Sequence, residues 1–260
     1  MKKHLHFESK EASEFYAEIK RLSESKPVWS VWADWVEAAA LVISIASEFR
    51  PEVRSARAER YKELLAKYRL EEVKAFDRML DCVINALENR PEQDFLGKMF
   101  EELDLSDHWK AQFFTPYDVS ELMARINLAN VESVLAHREW TDILDTCSGA
   151  GVLLIASRNY LKSRGIGYDR VLFVGQDIDK VAGLMGYIQL SLLGCAGYIV
   201  IGNSLTNPVH GLNDSKLLPK DDSGYELWFM PMFRSFVWEY RRAKELLKLQ
   251  TNYNNDKDDS

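Results

Sequence analysis

An acid, a run of small residues and two glycines stand together at Asp145-Thr-Cys-Ser-Gly149-Ala-Gly151. Two glycines let a ligand approach the backbone where a strand hands over to a helix N-terminus. The acid at the strand end can accept hydrogen bonds from an amine or a hydroxyl. Further along, Asp177 closes a second apolar run, VLFVGQDID, where a carboxylate on an adjacent strand could hold ribose hydroxyls. Asn203, in IGNSL after a third run, offers a side-chain amide able to read an adenine edge. Each residue also has an ordinary structural reading: a small-residue turn, a solvated acid, an asparagine that opens a turn. Jointly, polar groups at successive strand ends point to one crevice for a nucleoside-bearing cofactor. NAD and S-adenosylmethionine both suit it.

A sheet has to carry these groups. TDILD ending at Asp145, VLFVGQDID, and GYIVIGNSL read as strands, and YELWFMPMF as a fourth. Helical patterns cover Val119 to Asn127, Val152 to Lys162 and Lys180 to Leu193. Alternation of this kind predicts a parallel sheet with crossover helices. Up to about Leu103 the chain reads instead as helix after helix. Phe15, Ile19 and Leu22 form one apolar face; Trp29, Trp32 and Val36 form the next, followed by EAAALVISIA. Tyr61, Leu64, Leu65 and Tyr68 come after Pro51, then Val73, Phe76, Leu80, Val83, Ile84 and Leu87. The expected organisation is α/β: an all-α helical domain over 1–104, a Rossmann-like domain over 105–250, and a disordered polar tail over 251–260.

Composition narrows the class. With 33 basic and 40 acidic residues in 260, the net charge of −7 argues against coating nucleic acid by bulk electrostatics, though not against a local basic patch. Three cysteines without paired spacing suit a reducing cytoplasm rather than a disulfide framework, and the histidines show no metal-ligand spacing. The start is basic but lacks the apolar run of a secretory signal. Val28 to Phe49 is interrupted by Asp34, Glu37 and Glu48, so it reads as a buried helix rather than a membrane span.

The segment Gln112-Phe113-Phe114-Thr115-Pro116, followed by YDVSELMARI, decides between the two cofactors. It closely resembles the GQFFTP segment of adenine-specific DNA methyltransferases, among them the modification subunits of type I restriction systems. DTCSGAGVLLIAS resembles that family's D-P-A-C-G-S-G-G-F-L-I turn, GQDID its G-Q-E/D-I-N, and IGNSL its G-D-S/T-L. KVAGLMGYIQLSLLG and the upstream DFLGKMFEEL are family-like too, in order and spacing over residues 95–205. The resemblance implies a Rossmann-like domain binding S-adenosylmethionine. Gln112 to Pro116 would fold over its methionine end, with Thr115 and neighbouring backbone at the carboxylate or amine. Asp145 would face the cationic amine, with Ser148, Gly149, Ala150 and Gly151 giving backbone room. Asp177 would bind the ribose hydroxyls, Ile178 would pack on the adenine, and Asn203 would meet the adenine amine where the family usually has Asp.

One family element is missing. Methylating an exocyclic amine needs acceptors for its hydrogens, which the family supplies as N/D-P-P-F/Y after a fourth strand. This sequence has no such string. Asn207-Pro208 keeps two residues of it and is the only candidate catalytic pair; Met230-Pro231-Met232-Phe233 follows the fourth strand but puts a methionine, a very weak acceptor, where the amide belongs. The domain therefore reads as truncated, ending in the helix Phe236 to Leu249 with Arg241, Arg242, Lys244 and Lys248. That helix has two readings, a solvated amphipathic face or a DNA-phosphate or partner-docking element. By resemblance the function is adenine methylation of DNA, with recognition coming from a specificity or second methyltransferase subunit, no membrane, and possible oligomerisation. The alternatives are a non-catalytic, S-adenosylmethionine-binding scaffold or regulatory subunit, and methylation of another substrate.

Overall fold

The computed structural model describes residues 7–105, 114–212, 215–220 and 224–258. Helices come first: α1 (Lys10–Leu22), α2 (Val28–Ser47), α3 (Pro51–Leu65), α4 (Leu70–Asn89) and α5 (Phe95–Glu102). Their starts follow local chemistry. The Ser9 hydroxyl accepts from the Ala12 amide, Asp94 accepts from Gly97, and Pro51 opens α3 with its φ already set. By length and composition α2 could cross a membrane. Here Val31, Trp32, Trp35, Val36 and Leu41 on it are buried, and the Trp35 indole donates to the Phe76 carbonyl of α4. Trp29 departs from the expected face: it lies in the first turn, before the covered stretch, and is 42% exposed. Trp35 fills the core in its place.

The second half alternates as expected: α6 (Tyr117–Asn127), α7 (Val131–His137), β1 (Thr141–Asp145), α8 (Val152–Ser163), β2 (Val171–Asp177), α9 (Lys180–Leu192) and β3 (Gly197–Ile201). Then come β4 (Glu226–Phe229), a 3-10 turn at Pro231–Arg234, and α10 (Phe236–Asp258). The sheet order is β1-β2-β3-β4, with the first three strands parallel. β4 runs antiparallel to β3, Tyr198 opposite Phe229, so the sheet is mixed rather than wholly parallel. The reason lies in the β3–β4 connection. A parallel neighbour needs a crossover, usually a helix. The described part of this connection has turns and one antiparallel bridge, Gly211 to Pro219, and no α-helix.

Alternation along the strands divides the core. Phe173, Ile199 and Trp228 join the apolar cluster that also holds α1, α2, α4, α5 and α9 side chains. Leu172, Val174, Tyr198 and Phe229 face the other way, onto Phe233 and Trp238. The first cluster runs unbroken from Phe15 to Met230, so the N-terminal helices and the sheet share one core across positions 104 and 105. An ion-pair cluster reinforces the junction. Glu48, at the end of α2, is bound by Arg50 at 2.9 Å and Arg57 at 2.8 Å, and both arginines also donate to the Leu227 carbonyl of β4. At the other end of the chain α10 runs to Asp258, through most of the segment expected to be a disordered tail. Extending an existing helix adds a hydrogen bond per residue without a new nucleus, which polar composition alone does not reveal.

Candidate functional site

The turn after β1 is built by glycine. Gly149 and Gly151 adopt φ of +50° and +88°, a region in which side chains are strained. A Cβ on Gly151 would also lie 3.2 Å from the Gly186 Cα of α9, so the turn rests directly on that helix. On the neighbouring strand, a Cβ on Gly175 would meet Ser148 Oγ at 2.9 Å, and the bare backbone lets the turn fold over β2. The Ser148 amide donates to the Gln176 carbonyl at 3.0 Å and fixes that position.

A cleft of about 560 Å³ opens at the C-terminal ends of β1, β2 and β3. Ligands of open parallel sheets bind outside the carboxyl ends of strands. Asp145, Ser148, Gly149, Asp177, Ile178 and Asn203 line it, and Phe114 and Thr115 close one side. All come from the strand ends and the preceding segment that the sequence singled out. The Phe114 ring lies against Gly149, 3.1 Å from where a Cβ would be.

The electrostatics of the cleft are unbalanced. Burial pushes the Asp145 carboxyl up, the Cys147 amide offsets this in part, and the charge of Asp177 adds to the rise. Burial likewise raises Asp177, although the amides of Asp179 and Gly149 donate to it at 2.9 and 2.7 Å. The Gly149 amide donates to one Asp177 oxygen and the Asp179 amide to the other, with the Ile178 amide also lowering the carboxyl, and among the described residues no side-chain cation donates to it. The buried hydroxyls of Ser120 and Ser148, both in the lining, have no protein partner. Buried polar atoms are almost always satisfied, so these orphans fit a polar ligand. Ile178, 67% exposed, and Leu205, 91% exposed, leave apolar surface at the rim. A ligand with a cationic amine, vicinal hydroxyls and a flat apolar ring matches this set, and S-adenosylmethionine is such a molecule.

Other predicted residues sit differently. Gln112 and Phe113 lie outside the described residues. Pro116 is the N-cap residue of α6, Ala150 is buried with its carbonyl held by Gln189, and Gly151 caps α8; none of the three is in the lining. Asn203 lines the cleft, but its Oδ1 accepts from the Leu205 and Thr206 amides at 2.9 and 3.2 Å. With the oxygen occupied by its own turn, what it can present is the Nδ2 donor, not the acceptor expected for an adenine amine. Asn207 and Pro208 do not line the cleft. Buried Gln176 explains why: its Nε2 donates to the Asn207 carbonyl at 2.9 Å and its Oε1 accepts from Val209 at 2.8 Å, pinning that loop by its backbone. Met230-Pro231 is no nearer: β4 runs antiparallel to β3, so its end lies beside the start of β3, where the Met230 amide donates to the Gly197 carbonyl at 2.9 Å, away from the strand ends that line the cleft.

The cleft also recruits residues the sequence reading passed over. Ser120 and Met123 enter from α6, one helical turn apart, and Cys147 and Leu153 flank the glycines. Helical spacing after Thr115 was the available signal for the first pair. On α10, Arg241 donates to the Asp169 carbonyl, Arg242 donates to the Phe233 carbonyl, Lys244 pairs with Glu139 and Lys248 with Glu245. Among the described residues no group of three or more His, Cys, Asp or Glu converges as a metal site.

Residues 92–220 match the family described as N-6 DNA Methylase. No curated protein matches the chain. The matched stretch runs from just before α5 to beyond β3 and so contains the whole cleft. Over that stretch, this chain is similar to the N-6 DNA methylase family.

Proposed function

We propose that the cleft binds S-adenosylmethionine and that the chain serves methylation of adenine amines in DNA, as one component of a modification complex in the cytoplasm. The observation that carries this reading is the convergence of Asp145, Asp177 and Thr115 on one cleft with two orphaned serine hydroxyls. Asp145 takes the ammonium of the methionine end, and Thr115 and Ser120 lie on the side of its carboxylate. Asp177 takes the ribose hydroxyls from its place in the lining. Ile178 and Leu205 cover the adenine, and Asn203 Nδ2 donates to a ring nitrogen. Bound S-adenosylmethionine supplies an electrophilic methyl group on its sulfonium.

The acceptors that withdraw the amine hydrogens are supplied from outside the described residues, by a specificity or second methyltransferase subunit. Asn207 is pinned away from the lining, and Met230 stands beside the start of β3, at the opposite end of the strands from the cleft. A methionine sulfur there would in any case accept too weakly.

Calorimetric titration of the purified chain with S-adenosylmethionine tests the binding half. A carboxylate–hydroxyl contact is worth about 1.5–3 kcal/mol, so Asp177→Ala should weaken binding by about ten- to a hundred-fold. Unchanged affinity would remove Asp177 from the assignment, and no binding by the wild type would leave a scaffold without cofactor. Incubation of the chain with labelled S-adenosylmethionine and adenine-containing duplexes tests the rest. No transfer is expected from the chain alone, and transfer is expected once the partner subunit is added.

A further inference from the structure

Two buried polar side chains lie behind the cleft without touching it. Gln189, on α9, is fully buried and uses both ends of its amide. Its Oε1 accepts from the Leu96 amide at 3.0 Å; its Nε2 donates to Asp94 Oδ1 at 2.8 Å and to the Ala150 carbonyl at 2.9 Å. Asp94 is itself buried, and its Oδ1 also accepts from Gly97, capping α5. One amide therefore joins the start of α5 to the glycine turn.

The surrounding contacts show what this joint controls. One turn before Gln189, Gly186 lets the glycine turn settle onto α9: a Cβ there would stand 3.1 Å from the Gly149 carbonyl oxygen and 3.3 Å from the Ala150 carbonyl carbon. On the other side, α5 carries Phe100, whose ring meets Phe114 edge-on at 5.4 Å, and Glu101, which accepts from the Phe114 amide. Phe114 in turn lies on Gly149. The two walls of the cleft, the glycine turn and the Phe114-Thr115 segment, thus hang from one buried hydrogen-bonded knot. An apolar core could pack these helices without it. Buried polar groups are costly unless every member is satisfied, and this amide has a partner for its oxygen and two for its nitrogen.

We propose that Gln189 and Asp94 are positioning residues that hold the two walls of the cofactor cleft in register, acting through Ala150 and through α5. The proposal rests on the cleft being a cofactor site. Burial pushes the Asp94 carboxyl up to about 6, so it is ionised at neutral pH and its hydrogen bonds are charge-assisted.

The test combines titration with S-adenosylmethionine and hydrogen exchange of the unliganded full chain. Gln189→Leu and Asp94→Leu should each weaken binding by about tenfold or more and speed exchange of the turn amides of residues 148–151. The double variant should lose no more than the worse single one, because both act through one knot. Asp94→Asn keeps Oδ1 as acceptor of both bonds and should stay within about threefold of wild type. Arg57→Leu serves as the control for lost stability, expected to leave affinity unchanged under conditions where it stays folded and to speed exchange across the fold rather than selectively at residues 148–151. If Gln189→Leu does not fold, Gln189→Asn, one methylene too short to reach Ala150, should show the same losses. Leucine variants with wild-type affinity and unaltered turn exchange would overturn the proposal, as would equal losses in Asp94→Asn. If the wild type itself fails to bind S-adenosylmethionine, the cofactor reading falls, and exchange at residues 148–151 alone decides whether the knot positions the turn.

Discussion

Two regions of this molecule bury carboxylates and treat them in opposite ways. At the junction of α2, α3 and β4, Glu48 is withdrawn from water, which alone would push its carboxyl up. Arg50 and Arg57 outweigh that and hold it below the ordinary range. In the cleft, Asp145 and Asp177 are withdrawn as well, receive only backbone amides, and stay above it. The protein can therefore neutralise a buried acid when structure requires it. Among the described residues, two such acids stand without a cation at the ends of β1 and β2, and on the proposed reading the balancing charge and hydrogen-bond donors come from a ligand. A raised carboxyl alone does not mark a site, since burial also raises Asp94, whose partners Gln189 and Gly97 lie inside the fold; what sets Asp145 and Asp177 apart is that they line an open cleft.

The largest expected effect comes from unbalancing the first region. Arg57→Leu strips Glu48 and the Leu227 carbonyl of a buried donor and should destabilise the fold by about 3–5 kcal/mol in chemical denaturation. A loss below about 1 kcal/mol would place this cluster among ordinary surface pairs.

Asp94 sharpens the comparison through pH. Its folded value, about 6, lies above its ordinary 3.8, so the folded state holds the proton more tightly. Its contribution is fully present below about 4 and is lost as pH rises through about 6, to the extent of up to about 3 kcal/mol. The stability difference between wild type and Asp94→Asn should accordingly shift against the wild type over that interval. A pH-independent difference would mean that Asp94 does not titrate there.

In the cleft, the Asp177→Ala loss of about 1.5–3 kcal/mol in S-adenosylmethionine affinity comes next. Asn203→Ala should cost the least, under about 1 kcal/mol of affinity, because its Oδ1 serves the Leu205 and Thr206 amides. A larger loss on titration would restore it as a principal ligand of the adenine.

How much of this was legible in the sequence follows from what is local. β1 runs from Thr141 to Asp145, matching TDILD residue for residue, because a short apolar run ending in an acid and small residues reports a strand and its turn together. Phe15, Ile19 and Leu22 are buried as their spacing required. The direction of β4 was not readable, since the pattern of ELWF marks a strand without naming its neighbour, and pairing is decided by the connection. Asn207-Pro208 looked catalytic as a string, yet the buried amide of Gln176 fixes it elsewhere. The knot behind the cleft was invisible for a related reason: Asp94 and Gln189 are 95 positions apart and meet only through packing.

The central claim, that Asp145 and Asp177 wait for the charge and donors of a cofactor, has a direct test. S-adenosylmethionine should be titrated into the chain across mildly acidic pH, in buffers of different ionisation enthalpy, so that protons exchanged on binding are counted. Because both carboxyls lie above their ordinary range in the free cleft, an arriving ammonium and hydroxyls should drive protons off. The account predicts net proton release that vanishes toward neutral pH and shrinks in Asp177→Ala. Binding without proton release, or no binding at all, would contradict it.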